Sequence, residues 1–320
     1  MTRKRPGLLL VSFVSVFLLG GTICKGSLTP VQNEESGSSP PSSVRLWVTA
    51  LDDTGHSVRD LQEGDLQLFV DKQPQKITRV SPASSEKLQV GLLLDVSGSD
   101  RDTFKELDWP GTLSFFRNIL RPGDEAFVAL SSANTIRLLA NWTGDIAQVE
   151  SALREASGFL PYGPTSFYDA IHWLCKEKLS SWLGRRALIL VSGMLDNASR
   201  HRLSEAIESA QRSEVLIYPI MISEPAKPRG LFASYNVDRD QKKVVRQLAM
   251  ETGGFALFPV LGKDVGSALD PIGELLGGLY AVEFAVPNLT STEKGHHIEA
   301  RCARKDVRIL YRKQYFSPSG

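Results

Sequence analysis

Cysteine is scarce in this chain: three in 320 residues, at Cys24, Cys175 and Cys302. Three thiols so far apart exclude a small scaffold stapled by disulfides. Cys24 belongs to an N-terminal segment, and Cys175 and Cys302 read as small buried hydrophobes. An excess of either charge is also missing. Lys and Arg total 37 against 36 Asp and Glu, for a net charge of +1. No global field therefore draws the protein to nucleic acid or to an anionic membrane, and no basic stripe interleaved with aromatics is present. A serine elbow flanked by glycines, a His-Glu-Xaa-Xaa-His helix and a phosphate-cradling glycine loop are all absent, which removes three common routes to catalysis. His172 and Cys175 lie three apart on one helix, but too few further ligands are suitably spaced for a metal. They read as core and helix surface. The pair His296-His297 reads as solvated.

What is present is globular: 42% hydrophobic and 23% charged residues, in a length that suits roughly two domains at about 150 residues each. Arg3, Lys4 and Arg5 precede an apolar stretch over residues 8–21. This is a charged region followed by a hydrophobic one, as in a secretory signal, and it is short for a spanning helix. Residues 1–26 are therefore expected to be a signal peptide or an N-terminal anchor. The protein is then exported to a periplasm, cell envelope or extracellular space, and meets membrane only through that segment if it is uncleaved. Residues 27–43, rich in Ser, Pro and Glu, form a flexible linker.

From residue 44 the pattern is ordered. Residues 44–83 alternate apolar and polar positions over three short runs split by turn residues, a small β meander. Residues 87–264 alternate apolar strands (90–94, 126–130, 187–191, 215–222) with amphipathic helices, which calls for a doubly wound, mainly parallel α/β sheet covered on both faces. Pro110 interrupts a helix predicted over 104–120. A shorter helix over 244–250 and a strand over 255–260 follow. Residues 265–320 comprise a helix, with a kink at Pro271, and a small antiparallel β region.

The apolar run Leu92-Leu93-Leu94 ends at Asp95, and Ser97 and Ser99 follow at alternate positions. Ligands of open α/β sheets bind in the crevice beyond the carboxyl ends of the strands. Residues two apart on an extended loop turn the same way. One carboxylate and two hydroxyls offer hard oxygen ligands suited to Mg²⁺, Mn²⁺ or Ca²⁺; the same run is also ordinary turn chemistry. A second hydroxyl loop carries Thr165 and Ser166 just ahead of a helix. A third, with Ser192, Gly193, Asp196, Asn197 and Ser199, follows the strand 187–191.

Over residues 44–316 these pieces together resemble the von Willebrand factor type A (VWFA) domain, and more narrowly the secreted VWFA-related proteins of acidobacteria. The resemblance rests on GDLQLFVDKQPQKI (64–77), the Asp95-Val96-Ser97-Gly98-Ser99 loop, Thr165-Ser166-Phe167-Tyr168-Asp169-Ala170-Ile171, GRRALIL (184–190), LAMETGG (248–254) and RKQY (312–315). It implies a Rossmann-like fold and a metal-ion-dependent adhesion site formed by Asp95, Ser97, Ser99 and Thr165, with Mg²⁺ (or Mn²⁺ or Ca²⁺) as the ion. The family's third-loop Asp-Gly falls on Gly193-Met194, so the second carboxylate is missing; Asp196, three residues on, is the remaining candidate. One negative charge then faces two positive ones, and Mg²⁺ gives up its waters reluctantly, so weak binding is expected.

The function expected is that of a non-catalytic, exported adhesion module. It would take a protein partner, through an acidic side chain, at a degenerate metal-ion-dependent adhesion site. The alternatives are a metal-free structural or envelope-assembly protein whose site has decayed and, further off, a metal-dependent hydrolase.

Overall fold

The computed structural model describes residues 42–98, 104–132, 135–180, 184–222, 233–259, 264–286 and 295–316. The expected signal, the linker up to residue 41, Cys24 and Ser99 lie outside the described residues.

The centre is a five-stranded sheet in the order β7-β6-β5-β8-β9. Its strands are β5 (Leu88–Asp95), β6 (Glu125–Ser132), β7 (Thr135–Thr143), β8 (Arg185–Ser192) and β9 (Val215–Met221). All pairings are parallel except β6 with β7, which closes one edge as an antiparallel hairpin. The nearly unbroken apolar runs of β5, β8 and β9 follow from burial on both faces, and every residue of these three strands is buried. Alternate residues supply opposite faces. Val90, Leu92 and Leu94 point to one core, with Ala187, Ile189 and Val191. Leu93, Leu188 and Leu190 point to the other. Helices α1 (Trp109–Ile119), α2 (Ile146–Ser157) and α6 (Val265–Gly277) cover the first face through Phe115, Phe116, Val149, Leu153, Leu269 and Ile272. Helices α3 (Phe167–Glu177), α4 (Leu203–Arg212) and α5 (Ala233–Thr252) cover the second through Phe167, Ile171, Leu174, Ala206, Ala210, Val245 and Leu248. The doubly wound α/β architecture read from the sequence is thus present.

The expected helix over 104–120 is shorter and unbroken: α1 starts at Trp109, and Pro110 sits in its first turn, where the missing N–H has no intrahelical partner to lose. Helix α5 runs to Thr252 and is longer than expected. In place of a strand over 255–260 there is a single bridge, Leu257 to Ile220.

The terminal segments do not form separate sheets. β1 (Ser42–Leu51), β4 (Ile77–Pro82), β10 (Leu279–Val286) and β12 (Arg308–Leu310) alternate as β12-β1-β10-β4. β2 (Leu66–Val70), β3 (Gln73–Gln75), β11 (His296–Cys302) and β13 (Gln314–Tyr315) form β13-β11-β2-β3. A third core, with Leu46, Val48, Leu68, Val282, Phe284 and Ile298, packs within these strands. They adjoin the starts of the central strands: Arg185, which opens β8, donates to the carbonyls of Glu86 and Leu276 at 3.0 and 2.8 Å. The carboxyl ends of β5 and β8 lie at the opposite pole. Cys175 is buried and Cys302 half-buried, both as free thiols. His296 departs from the solvated reading. Its side chain is 12% exposed and its Nδ1 lies 2.7 Å from the Asp71 carboxylate.

Candidate functional site

The three oxygen-bearing loops meet at the carboxyl end of the central sheet, stitched by backbone bonds. Gly98 N–H donates to Gly163 O at 2.9 Å, and Tyr162 N–H to Val96 O at 2.9 Å. These join the loop after β5 to the loop ahead of α3. Asn197 and Ala198 N–H both donate to Thr165 O, at 3.1 and 2.9 Å, and Thr165 N–H donates back to Asn197 Oδ1 at 3.0 Å. These join the loop ahead of α3 to the loop after β8.

Asp95 stands at the centre and is 2% exposed. Its Oδ1 accepts from Ser97 N–H at 3.0 Å, and its Oδ2 accepts from the Ser192 hydroxyl at 2.7 Å. Ser192 Oγ in turn accepts from Met194 N–H at 2.9 Å. Ser97, Thr165 and Ser166 are buried around it.

Met194 explains how the third loop lives without its Asp-Gly. Its φ is +60°, a left-handed conformation that favours glycine and strains other residues. Gly193 itself does not need it, since it is not among the positive-φ glycines. The position where the resembled pattern places glycine has kept the glycine-like backbone while gaining a side chain. That side chain is 3% exposed and packs with Leu190 and Met221 in the second core. An apolar anchor now holds the loop.

Asp196 faces the start of α3. Helix α3 has Ser166 at its N-cap without a side-chain capping bond, so its first N–H groups need partners from elsewhere. Asp196 Oδ2 accepts from Tyr168 N–H at 2.9 Å, and Ser199 Oγ accepts from Asp169 N–H at 3.1 Å. The Asp196 carboxylate also accepts from Ser199 N–H and Oγ, at 3.0 and 2.7 Å. The negative charge suits the helix N-terminus. Burial, with Asp196 nearby, pushes the Tyr168 hydroxyl up to about 12. Asp169 completes the clip, accepting from Arg200 and His201 N–H at 3.0 and 2.9 Å. Burial works to raise the Asp169 carboxyl, but those N–H groups and the His201 ring hold it below its ordinary value.

The donor chemistry around Asp95 is all oxygen, which matches a hard cation. The charge does not match. Among the described residues Asp95 is the one carboxylate at the centre, and both its oxygens already accept protein hydrogen bonds. The residues present do not fit a tightly held divalent ion. Among the described residues, no group of three or more His, Cys, Asp or Glu is arranged to hold a metal.

Sequence reasoning passed over two features. Ser192 takes up the second oxygen of Asp95, and its place at the head of the third loop was the available signal. The other is apolar. Five large apolar side chains are exposed among the described residues, and three sit on these loops: Leu160 (72%), Tyr162 (53%) and Leu195 (46%). The run Phe159-Leu160-Pro161-Tyr162 between two helices was the clue.

No family model and no curated protein matches the chain. Among solved structures it is similar to the pilus adhesin SpaC from Lactobacillus rhamnosus GG, at 9% identity over 79% of this chain and 41% of that one, with a TM-score of 0.49. It is also similar to the vWF domain of the type V pili tip protein Mfa5 from Porphyromonas gingivalis (11%, 59% and 94%, TM-score 0.45). An aerotolerance-related membrane protein from Bacteroides fragilis, carrying multiple mutations to serines, gives 12%, 57% and 96%, with a TM-score of 0.41. The five-stranded sheet covered by helices on both faces is consistent with a Rossmann-like VWFA architecture, and the resemblance is not specific to the acidobacterial proteins. No helix among the described residues is long and apolar enough to cross a membrane.

Proposed function

We propose that this protein is an exported, non-catalytic interaction module that takes a protein partner on the rim of its three stitched loops. The observation that carries the reading is the surface at that rim: Leu160, Tyr162 and Leu195 stand exposed on loops whose polar centre is buried and internally bonded. Contiguous exposed apolar surface marks sites of protein contact, and the loops that carry these three side chains are bonded to one another. The carboxylates of the crevice hold structure. Asp196 and Asp169 accept backbone N–H groups and Asp95 accepts Ser97 and Ser192, which supports a structural role for these three. Export rests on the basic and apolar N-terminal sequence.

A divalent ion, where one binds, would be held by Asp95, Ser97, Ser99 and Thr165, and would offer a Lewis-acidic contact to an acidic side chain of the partner. The buried oxygen set favours this second reading; the single carboxylate makes the affinity low. Capture from envelope extracts tests both readings together. The triple variant L160S/Y162S/L195S is expected to lose the captured protein, and M250S, which removes an exposed Met elsewhere, to keep it. Capture by the triple variant equal to that by the unaltered protein would refute the rim as the contact surface. Capture that survives chelator assigns the contact to the apolar rim without the ion.

A further inference from the structure

We propose that His172 and His201 form a pH-sensitive latch that releases the loop after β8 from α3 when both rings carry a proton. The two imidazoles stack face to face, with ring centroids 3.9 Å apart and planes 18° from parallel. Each is held at one nitrogen. His201 Nδ1 lies 2.7 Å from Asp169 Oδ1, and His172 Nδ1 lies 2.7 Å from Ser209 Oγ. Ser209 Oγ also donates to Glu205 O at 2.8 Å, so the proton in its contact with the imidazole belongs to His172 Nδ1. The pair therefore joins α3, the loop and α4 in one stack, and His201 is the residue whose N–H, like that of Arg200, Asp169 clips to α3.

A stack of two neutral rings, or of one neutral and one charged ring, is stable; two imidazoliums at this spacing repel. The charged groups that face His172 are Asp169 and Lys176 of its own helix, His201 of the loop, and Glu205 of α4. Asp169 Oδ1 lies against the His201 ring, and where one ring of the stack carries a proton, a second must enter beside a cation. Burial and then the neighbouring His201 hold His172 below its ordinary value of 6.5. A histidine lowered in the folded state gives stability that is complete above 6.5 and is lost as the pH falls below it. That loss falls on the loop, because the ring it displaces is tied to the loop backbone. The proposal does not depend on what the rim binds.

The experiment is amide exchange and histidine NMR on the full chain between pH 7.5 and 5.0. After correction for intrinsic exchange, protection of the Arg200 and His201 amides is expected to fall about tenfold for each unit by which His172 titrates below its unfolded value. Central-strand amides such as Leu92 should keep theirs. His201→Gln should return His172 toward 6.5, and His172→Gln should abolish the pH dependence of the loop. If a variant fails to fold, the titration of the unaltered protein decides. Protection of Arg200 and His201 that stays constant across the range, or a His172 that titrates at or above 6.5, overturns the latch.

Discussion

Glu214 is the residue whose loss the structure prices most clearly. It precedes β9 and is shared by two arginines: Arg186 Nη2 reaches Oε2 at 3.0 Å, and Arg312 Nη1 reaches Oε1 at 2.9 Å. The arginine side chains are 8% and 6% exposed, and the Nε atoms of both are buried without a partner among the described residues. Burial pushes the Arg186 guanidinium below its ordinary value while Glu214 works the other way. Arg186 belongs to β8 and Arg312 to the C-terminal segment, where Arg312 Nη2 also donates to Arg45 O of β1 at 3.1 Å. One carboxylate thus fastens the central sheet to the terminal strands. Glu214→Gln keeps the shape and the left-handed φ of +53° but leaves two buried cations facing an amide. Breaking a buried pair from one side costs about 3–5 kcal/mol. Glu214 is itself 31% exposed, so water can reach the gap, and the lower end, about 3 kcal/mol, is expected. In a domain of this size that is a fall of roughly 6–12 °C in melting temperature. The triple variant R186M/E214M/R312M should recover most of it, because apolar side chains of like volume replace buried ion networks without loss. A Glu214→Gln protein melting within about 1 °C of the unaltered one, roughly what half a kcal/mol gives, would refute the reasoning.

Gly193→Asp restores the second carboxylate at a backbone that tolerates a side chain; it should give a Mg²⁺-dependent rise in melting temperature, equivalent to about 2.7 kcal/mol at a hundred times Kd, where the unaltered protein shows little, and equal shifts in the two proteins would count against the charge argument. Gly254→Ala puts a Cβ 1.9 Å from Ile217 O, so backbone must move, and a loss of about 3 kcal/mol in chemical denaturation is expected. Asp169 is held below its ordinary carboxyl value of 3.8. Its share of stability is complete above that value and drains as the pH falls through its lowered folded value, so Asp169→Asn should flatten the acid limb of the stability curve measured by circular dichroism.

The central sheet was legible because β5, β8 and β9 are buried on both faces and cannot hide their apolar runs. The loops after β5 and β8 were legible because they follow two of those strands; the Thr165 loop, which lies between two helices, was legible only by its hydroxyls ahead of a helix. What local pattern could not show is partnership between distant segments. The period-2 runs near residues 44–80 and 280–311 announce strands, but nothing in either says that β10 lies between β1 and β4. The same applies to the site. That Asp95 heads a loop at the carboxyl end of the sheet follows from strand order, whereas Thr165 on Asn197, Ser192 on Asp95, and Asp196 and Ser199 capping α3 depend on contacts across 28 to 97 residues. The histidine stack had only one sequence trace, His172 on a helix surface, and Glu214 between two arginines had none.

The interleaving of the terminal strands sets an order of events during synthesis. Arg45 of β1 pairs with Glu283 of β10, 238 residues later. At about 5–20 residues per second, β1 waits roughly 12–48 s for its neighbour to be made. Throughout that interval its edges are open to foreign strands, so a newborn chain needs shelter until its final fifth has emerged.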